Sequence, residues 1–192
     1  NAPFDQGLSA LTAEGYRIVT SEDTAKLRMQ QGRGAFVSNN GNWVKEGILY
    51  VPGRGKLLTK NSPVMIYPSQ ATQARREGQE FYLTEEQVEA GMKDALRLPN
   101  KDFTIPTKRF KSDEVAQYLF GDSAEQYGAF LKEAGINEMP VWMVDNIRGK
   151  PFVRQAWLDR LGDRSRLDGD YRNLNCCSRV RGVREDARAS EV

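Results

Sequence analysis

Between Trp157 and Ser178 the chain carries a dense run of side chains that could do chemistry: Asp159, Arg160, Gly162, Asp163, Arg164, Arg166, Asp168, Asp170, Tyr171, Asn173, Asn175, Cys176, Cys177 and Ser178. Carboxylates, guanidiniums, amides and a phenol at irregular spacing suit recognition by hydrogen bonds and charge. They suit covalent catalysis poorly, because the sequence contains no histidine. That absence removes the usual general base, the histidine-dependent nucleophile systems and any zinc site built on imidazole. The two cysteines are neighbours, Cys176 and Cys177. Adjacent thiols can neither complete a four-ligand metal site nor join distant parts of the chain. A strained disulfide and two free thiols are both open to them, and disulfide geometry favours the thiols. Asp168 and Asp170 fall short of the six to eight oxygens that calcium takes, so neither a metal nor another cofactor is implied.

Composition narrows the partner. Charged residues make up 28% of the 192-residue chain yet leave a net charge of only +2, so no strong attraction to nucleic acid or an anionic membrane is expected. No apolar run approaches the roughly 18 residues of a membrane span, and the opening Asn1-Ala2-Pro3-Phe4 lacks the blocks of a signal peptide. A soluble chain forming a single domain over residues 1–192 is the expectation, its 39% hydrophobic content being enough for one core.

The elements that must hold the polar run read as α+β. Strands are expected at 16–19, 34–37, 48–51, 57–59 and 64–67, all rich in β-branched and aromatic residues. Pro52-Gly53-Arg54-Gly55-Lys56 reads as a hairpin turn, since the following helix and the further glycines of a phosphate loop are missing. Three helices are signalled more strongly. Thr84 and Gln87 form a capping box ahead of a helix over 85–97, stopped by Pro99. Ser112 caps a helix ending at Gly121, and Asp122 with Glu125 opens another that sets Tyr127, Phe130, Leu131 and Ala134 on one core-facing stripe before Gly135. A weaker helix follows Ser21. Val141-Trp142-Met143-Val144 reads as a buried strand, 145–150 as a turn, 152–157 as a strand, and 179–184 as a final strand with a bulge at Gly182. The tail from Glu185 is polar and expected to fray. No internal repeat of 20–50 residues is evident.

Leu161, Leu167 and Leu174, spaced six and seven apart, match neither a strand nor a continuous helix. They read as pegs of an irregular loop that dips into the core while the residues between face solvent. Arginine and tyrosine in that set are the strongest candidates for binding hot spots.

Val153-Arg154-Gln155-Ala156-Trp157-Leu158, the alternation of Leu, Gly and Ser with heterogeneous residues, and Arg179-Val180-Arg181-Gly182-Val183-Arg184-Glu185 together resemble the variable proteins of diversity-generating retroelements. The resemblance is to the phage, bacterial and archaeal-virus types and covers about the last forty residues. It implies a C-type lectin-like fold of short antiparallel strands, about three helices and a long anchored loop. In that family adenine-directed copying errors convert asparagine AAC codons into many others, which makes an adjacent cysteine pair ordinary. By this resemblance all fourteen residues named at the outset are variable ligand-binding positions within 157–178. Trp157, Leu161, Ser165, Leu167, Gly169, Leu174 and Arg179 are framework, with Arg172 assignable to either. The implied function is non-catalytic display of a hypervariable surface to a macromolecular ligand, a cell-surface protein or glycan, from a virion or cell surface, with oligomerisation possible and useful for avidity.

Three readings compete. The run could be an ordinary solvated loop, as Asp/Arg-rich segments usually are. Formylglycine-generating oxidases share the broader architecture, but their cysteines are separated in sequence. Nucleic-acid binding through Arg164, Arg166, Arg172, Arg179, Arg181 and Arg184 is blunted by the interleaved aspartates and leaves only Tyr171 for stacking.

Overall fold

The computed structural model describes residues 2–147, 149–170, 174–175 and 179–184. Tyr171, Arg172, Asn173, Cys176, Cys177, Ser178 and the expected tail from Glu185 lie outside the described residues.

Two strands buried on both faces organise the molecule: β2 (Asn42–Val51) and β8 (Phe152–Leu158). They pair antiparallel, Asn42 opposite Leu158 and Tyr50 opposite Phe152. Because side chains alternate along a strand, each contributes to two cores. Val44, Ile48, Tyr50, Phe152, Ala156 and Leu158 enter one, and Trp43, Leu49, Val51, Val153 and Trp157 the other. The first core is closed by helices α2 (Ser21–Gln31), α7 (Glu114–Phe120) and α8 (Ala124–Glu133). The second takes Phe4 of α1 (Phe4–Ala13), Val64 of α4 (Pro63–Ile66), Ala71 of α5 (Pro68–Arg76) and Val88 of α6 (Glu85–Met92). A one-turn helix α3 (Phe36–Asn39) precedes β2.

Around the central pair the sheet continues through β3 (Gly55–Thr59) to β5 (Leu96–Leu98) on one side. On the other side it continues through β9 (Leu167–Asp168) to β7 (Glu138–Trp142) and β6 (Phe103–Pro106), and β4 (Phe81–Tyr82) also pairs with β8. Pairing is antiparallel except between β7 and β9. A separate ribbon joins β1 (Tyr16–Ile18) to β10 (Gly182–Arg184).

Several expectations are corrected. Residues 34–37 and 64–67 are not strands: Phe36–Asn39 and Pro63–Ile66 are single helical turns that bury Val37 and Val64 and leave Phe36 and Ile66 exposed. Pro63 and Pro68 each stand in a first helical turn, where a missing N–H costs nothing, and that start signal outweighs the β-branched composition around them. The described residues form eight α-helices, not about three. The helix expected over 85–97 ends at Met92. Asp94 turns left-handed (φ 61°), and Leu96–Leu98 is recruited by the open edge of β3. Asp113, not Ser112, caps α7 by accepting the N–H groups of Val115 and Ala116 at 3.0 Å each. The Asp122–Glu125 box does not form, because a tight turn over 121–123 precedes α8. The strand expected at 141–144 sits earlier, at Glu138–Trp142, and the final strand is shortened to Gly182–Arg184. Gly182 is not a bulge: it pairs in register with Ile18, and a β-carbon there would meet Tyr16 Cβ at 2.7 Å and Leu11 Cδ2 at 2.8 Å.

Helix α2 is fixed to the sheet by a buried acid. Where β2 shifts register between Trp43 and Gly47, the 1% exposed Glu46 accepts the Ser21 N–H at 3.1 and 3.2 Å. Burial raises its pKa from 4.5 to about 7, against the lowering pull of the Ser21 hydrogen bonds and of Lys60. The folded state therefore holds a proton that the unfolded chain has released, so stability falls as pH rises from 4.5 to about 7. The full contribution is about 3 kcal/mol. Urea denaturation across this range should show the slope in the parent and a flatter profile in Glu46→Gln; parallel profiles would refute the assignment.

Candidate functional site

The site is built where β8 leaves the sheet and β9 returns to it. Three residues of β8 prepare the exit. Arg154 bonds Glu80 (Nη2 to Oε1, 2.6 Å; Nε to Oε2, 3.1 Å) and the Asp170 carbonyl (2.8 Å), and pairs with the Asp170 carboxylate. Gln155 donates to the Lys45 carbonyl at 3.0 Å and accepts from Ser62 Oγ at 2.8 Å, which satisfies polar groups left by the register shift in β2. Trp157, past the small Ala156, meets Trp43 edge to face with centroids 5.2 Å apart and donates its Nε1–H to Asp159 Oδ1 at 2.6 Å.

From Asp159 to Arg166 the chain makes a closed loop. Asp159 N–H donates to the Arg166 carbonyl at 2.9 Å, a tight turn spans Leu161–Asp163, and Arg164 and Ser165 are left-handed with φ 62° and 52°. Two consecutive non-glycine residues in that region are unfavourable unless the surroundings hold them. They are held from beneath by Arg28 of α2, whose fully buried guanidinium reaches the Asp159 carbonyl (2.6 Å), Ser165 Oγ (2.6 Å), Tyr127 Oη (2.9 Å) and the Val37 carbonyl (3.1 Å). Tyr127 and Ser165 also hydrogen-bond each other at 2.7 Å.

The three expected pegs, Leu161, Leu167 and Leu174, are all buried. At about 1.5–3 kcal/mol per buried leucine, together they can offset the ordering of an irregular loop. The Leu174 carbonyl also accepts the Phe4 N–H at 2.8 Å, and the Arg179 carbonyl accepts that of Trp43 at 3.2 Å. Gly169 is confined: a β-carbon there would lie 2.9 Å from Tyr50 Oη and closer still to Ile48 Cδ1.

Of the residues between these anchors, Arg160, Gly162, Arg164 and Asp170 are exposed, and Asp163, Arg166 and Asn175 are partly buried. Arg160 pairs with Asp163 at 2.8 Å and Arg164 with Glu138 at 3.0 Å. Asp159 and Asp168 do not face solvent as expected. Both are buried and flank Arg166, which pairs with Asp159 and lies 3.5 Å from Asp168. Burial raises the pKa of both carboxyls, while Arg166 pulls them back down.

Arg166 in turn lies 3.6 Å above the centre of the Trp142 ring. Trp142, expected inside a buried strand, is 45% exposed at the end of β7, although Val141 before it and Met143 after it are buried. It is the site residue that sequence reasoning missed, together with Arg28 and Tyr127. The outward face carries two hollows, ≈430 Å³ beside Ile136 and Leu161 and ≈370 Å³ beside Trp142 and Arg166. Gly162 and Arg164 border both.

No protein-family model and no curated protein matches the sequence. The structure does have a solved counterpart, a protein described in connection with the accommodation of massive sequence variation in Nanoarchaeota by the C-type lectin fold. The two superpose with a TM-score of 0.65 over 90% of each chain, at 13% sequence identity. This chain has the C-type lectin fold. In its C-type lectin scaffold the described part of the polar run, residues 159–170, is anchored by buried Leu161, Ser165, Leu167 and Gly169, and its Arg164 pairs with Glu138 of β7. Among the described residues no group of three or more Cys, Asp or Glu side chains could hold a metal ion. No helix of the described residues is long and apolar enough to cross a membrane.

The division into anchors and outward residues has a direct test in two glycines seven residues apart. Gly169→Ala must displace Ile48 or Tyr50 and should lower stability by about 1–3 kcal/mol. Gly162→Ala, with only Arg160 Nε within 4 Å, should change it by less than about 0.5 kcal/mol. Equal effects in chemical denaturation would remove the distinction.

Proposed function

We propose that this chain is a non-catalytic ligand-binding protein that displays a hypervariable surface, diversified at adenines by a retroelement. Its outward residues Arg160, Gly162, Asp163, Arg164, Arg166 and Asp170, continued by Tyr171, Asn173, Asn175, Cys176, Cys177 and Ser178, form the recognition surface. Asp159 and Asp168 take part through Arg166. The observation that carries the reading is that Leu161, Ser165, Leu167 and Gly169 are buried while Arg160, Gly162, Asp163, Arg164, Arg166 and Asp170 of the same backbone are exposed or half-buried. A surface that tolerates exchange needs its backbone held by residues that are not exchanged. The relation of fold to sequence variation in the Nanoarchaeota protein supports the same reading. Arg164 adds a local argument: its left-handed backbone is one that asparagine adopts more readily than arginine, as an asparagine-coding template would have it.

The ligand is proposed to be a macromolecule, a protein or glycan of a cell surface. The face mixes arginines, aspartates and one exposed tryptophan, which suits hydrogen bonding around an aromatic anchor.

The deciding experiment is to sequence the coding DNA and its neighbourhood. The expected finding is a near-copy of the codons for residues 153–184 that differs at adenines, beside a reverse transcriptase gene. An intact neighbourhood without such a copy overturns the retroelement reading. At the protein level, the combined variant Arg160→Asn, Asp163→Asn and Arg164→Asn should keep its Tm within about 3 °C of the parent, since it removes only exposed ion pairs. Leu161→Asn should lower Tm by about 5–15 °C. A triple variant as unstable as Leu161→Asn would mean that the loop's surface is structural.

A further inference from the structure

The hollow of ≈370 Å³ beside Trp142 has two walls of different origin. One is sheet. Thr104 of β6 stands opposite Pro140 of β7, and Trp142 lies two residues beyond Pro140, so the three share the face turned away from the core that takes Met139 and Val141. The other wall is loop, and brings Gly162, Asp163, Arg164 and Arg166. The sheet wall lies outside the 157–178 stretch. Its indole would stabilise the fold most if buried, yet it stays 45% exposed even though Arg166 stacks on it.

The ring is held ready for contact. The Arg166 guanidinium lies 3.6 Å from its centre and is itself paired with Asp159 and lies 3.5 Å from Asp168. An aromatic side chain fixed in advance loses little freedom on binding. The other charges of the lining are also paired, Asp163 with Arg160 at 2.8 Å and Arg164 with Glu138 at 3.0 Å, so a charged ligand would have to displace a partner. Hydrogen-bonding capacity is left over all the same. The Asp163 bond uses Oδ2 and the Arg164 bond uses Nη1, which leaves Asp163 Oδ1 and the Arg164 Nη2 and Nε groups. The Thr104 hydroxyl and the Trp142 Nε1–H have no hydrogen bond among the described residues.

The lining thus sets apolar ring surface, from Trp142 and Pro140, beside uncommitted donors and acceptors with every charge answered. An apolar side chain of a protein partner would cover those polar groups without bonding them. A neutral sugar ring matches both kinds of surface, since its C–H groups lie against an aromatic face while each hydroxyl both donates and accepts. The volume is at the lower end of small-molecule sites.

We propose that this hollow is a subsite for one neutral pyranose ring of a glycan. Trp142, Pro140 and Thr104 form a constant wall that the ring lies against, and Asp163 and Arg164 across the hollow bond its hydroxyls and set which sugar is taken. The division into constant and exchangeable walls rests on the display reading; the binding itself does not.

The test titrates the full chain with the methyl α-glycosides of glucose, galactose and mannose, which differ only in the configuration of single hydroxyls. Glycerol and N-acetylphenylalaninamide serve as controls, and binding is followed by calorimetry and by acrylamide quenching of fluorescence. Trp43 and Trp157 are buried, so quenching reports Trp142. Saturable binding of at least one glycoside is expected, with a Kd of roughly 1–10 mM for a single ring and with protection of Trp142 from acrylamide. Trp142→Ala should weaken it about tenfold or more, Trp142→Phe less than about fivefold, and Thr104→Val about threefold. The triple asparagine variant of the loop should change the order of preference among the three glycosides and still need Trp142. Glycoside binding no stronger than that of glycerol overturns the proposal, as does tighter binding of N-acetylphenylalaninamide than of every glycoside, which would make the hollow a seat for a protein side chain. Binding by Trp142→Ala within about twofold of the parent overturns it too. If that variant fails to fold, Thr104→Val decides, and parental affinity there overturns the constant wall. An unchanged order of preference in the triple variant overturns the exchangeable one. A template copy in the coding DNA without glycoside binding sinks this subsite alone, whereas glycoside binding through Trp142 without such a copy keeps the subsite and sinks the hypervariable display.

Discussion

A buried guanidinium holds the Asp159–Arg166 end of this molecule together. Arg28 stands in a helix that has almost no apolar face of its own, and its four hydrogen bonds reach α3, α8 and both ends of the 159–165 loop. Its partners are two carbonyls and two hydroxyls, with no carboxylate, so the charge is spread over oriented dipoles. Removing such a group would leave several buried acceptors unsatisfied at once, and its energetic weight exceeds that of any single leucine peg. The left-handed pair Arg164 and Ser165 persists because Ser165 is bonded from below.

Above that anchor the surface is coupled more closely than an alternation of pegs and free positions suggests. Arg166 is shared by Asp159, Asp168 and the Trp142 ring, so exchanging either aspartate would leave a partly buried arginine short of a partner. Arg160 with Asp163, and Arg164 with Glu138, are exposed pairs of little energetic weight. The outward face therefore grades from positions that stability hardly constrains to positions that must change together. Trp142 and Glu138 bring β7 into the face although they lie outside the 157–178 stretch.

Much of the scaffold was legible where the signal is local. The Thr84–Gln87 capping box, the Gly121 stop, the core stripe Tyr127 and Leu131, and the hairpin at Pro52–Lys56 all form as their residues dictate, because a cap, a positive φ or a helical period needs only near neighbours. The readings that failed are those decided at long range. Phe36-Val37 and Val64-Met65-Ile66 have strand-forming side chains but become helical turns, because only one residue of each has a core to enter. Leu96–Leu98 left its expected helix because the edge of β3 offered a ladder.

The sequence by itself determined that histidine chemistry is absent, that Leu161, Leu167 and Leu174 go inward, and that the Val153–Leu158 segment leads into the polar loop. These follow from residue type and hydrophobicity, which any fold must respect. Tertiary structure alone decided that Asp159 and Asp168 are buried against Arg166, that Trp142 is on the surface, that Arg28 is the hidden support, and that the buried Lys56 ammonium has no hydrogen-bond partner among the described residues. Each depends on which strands become neighbours. β9 inserts between β7 and β8, setting Asp168 beside Trp142 and Trp157, and no local pattern encodes a pairing between segments so far apart in the chain.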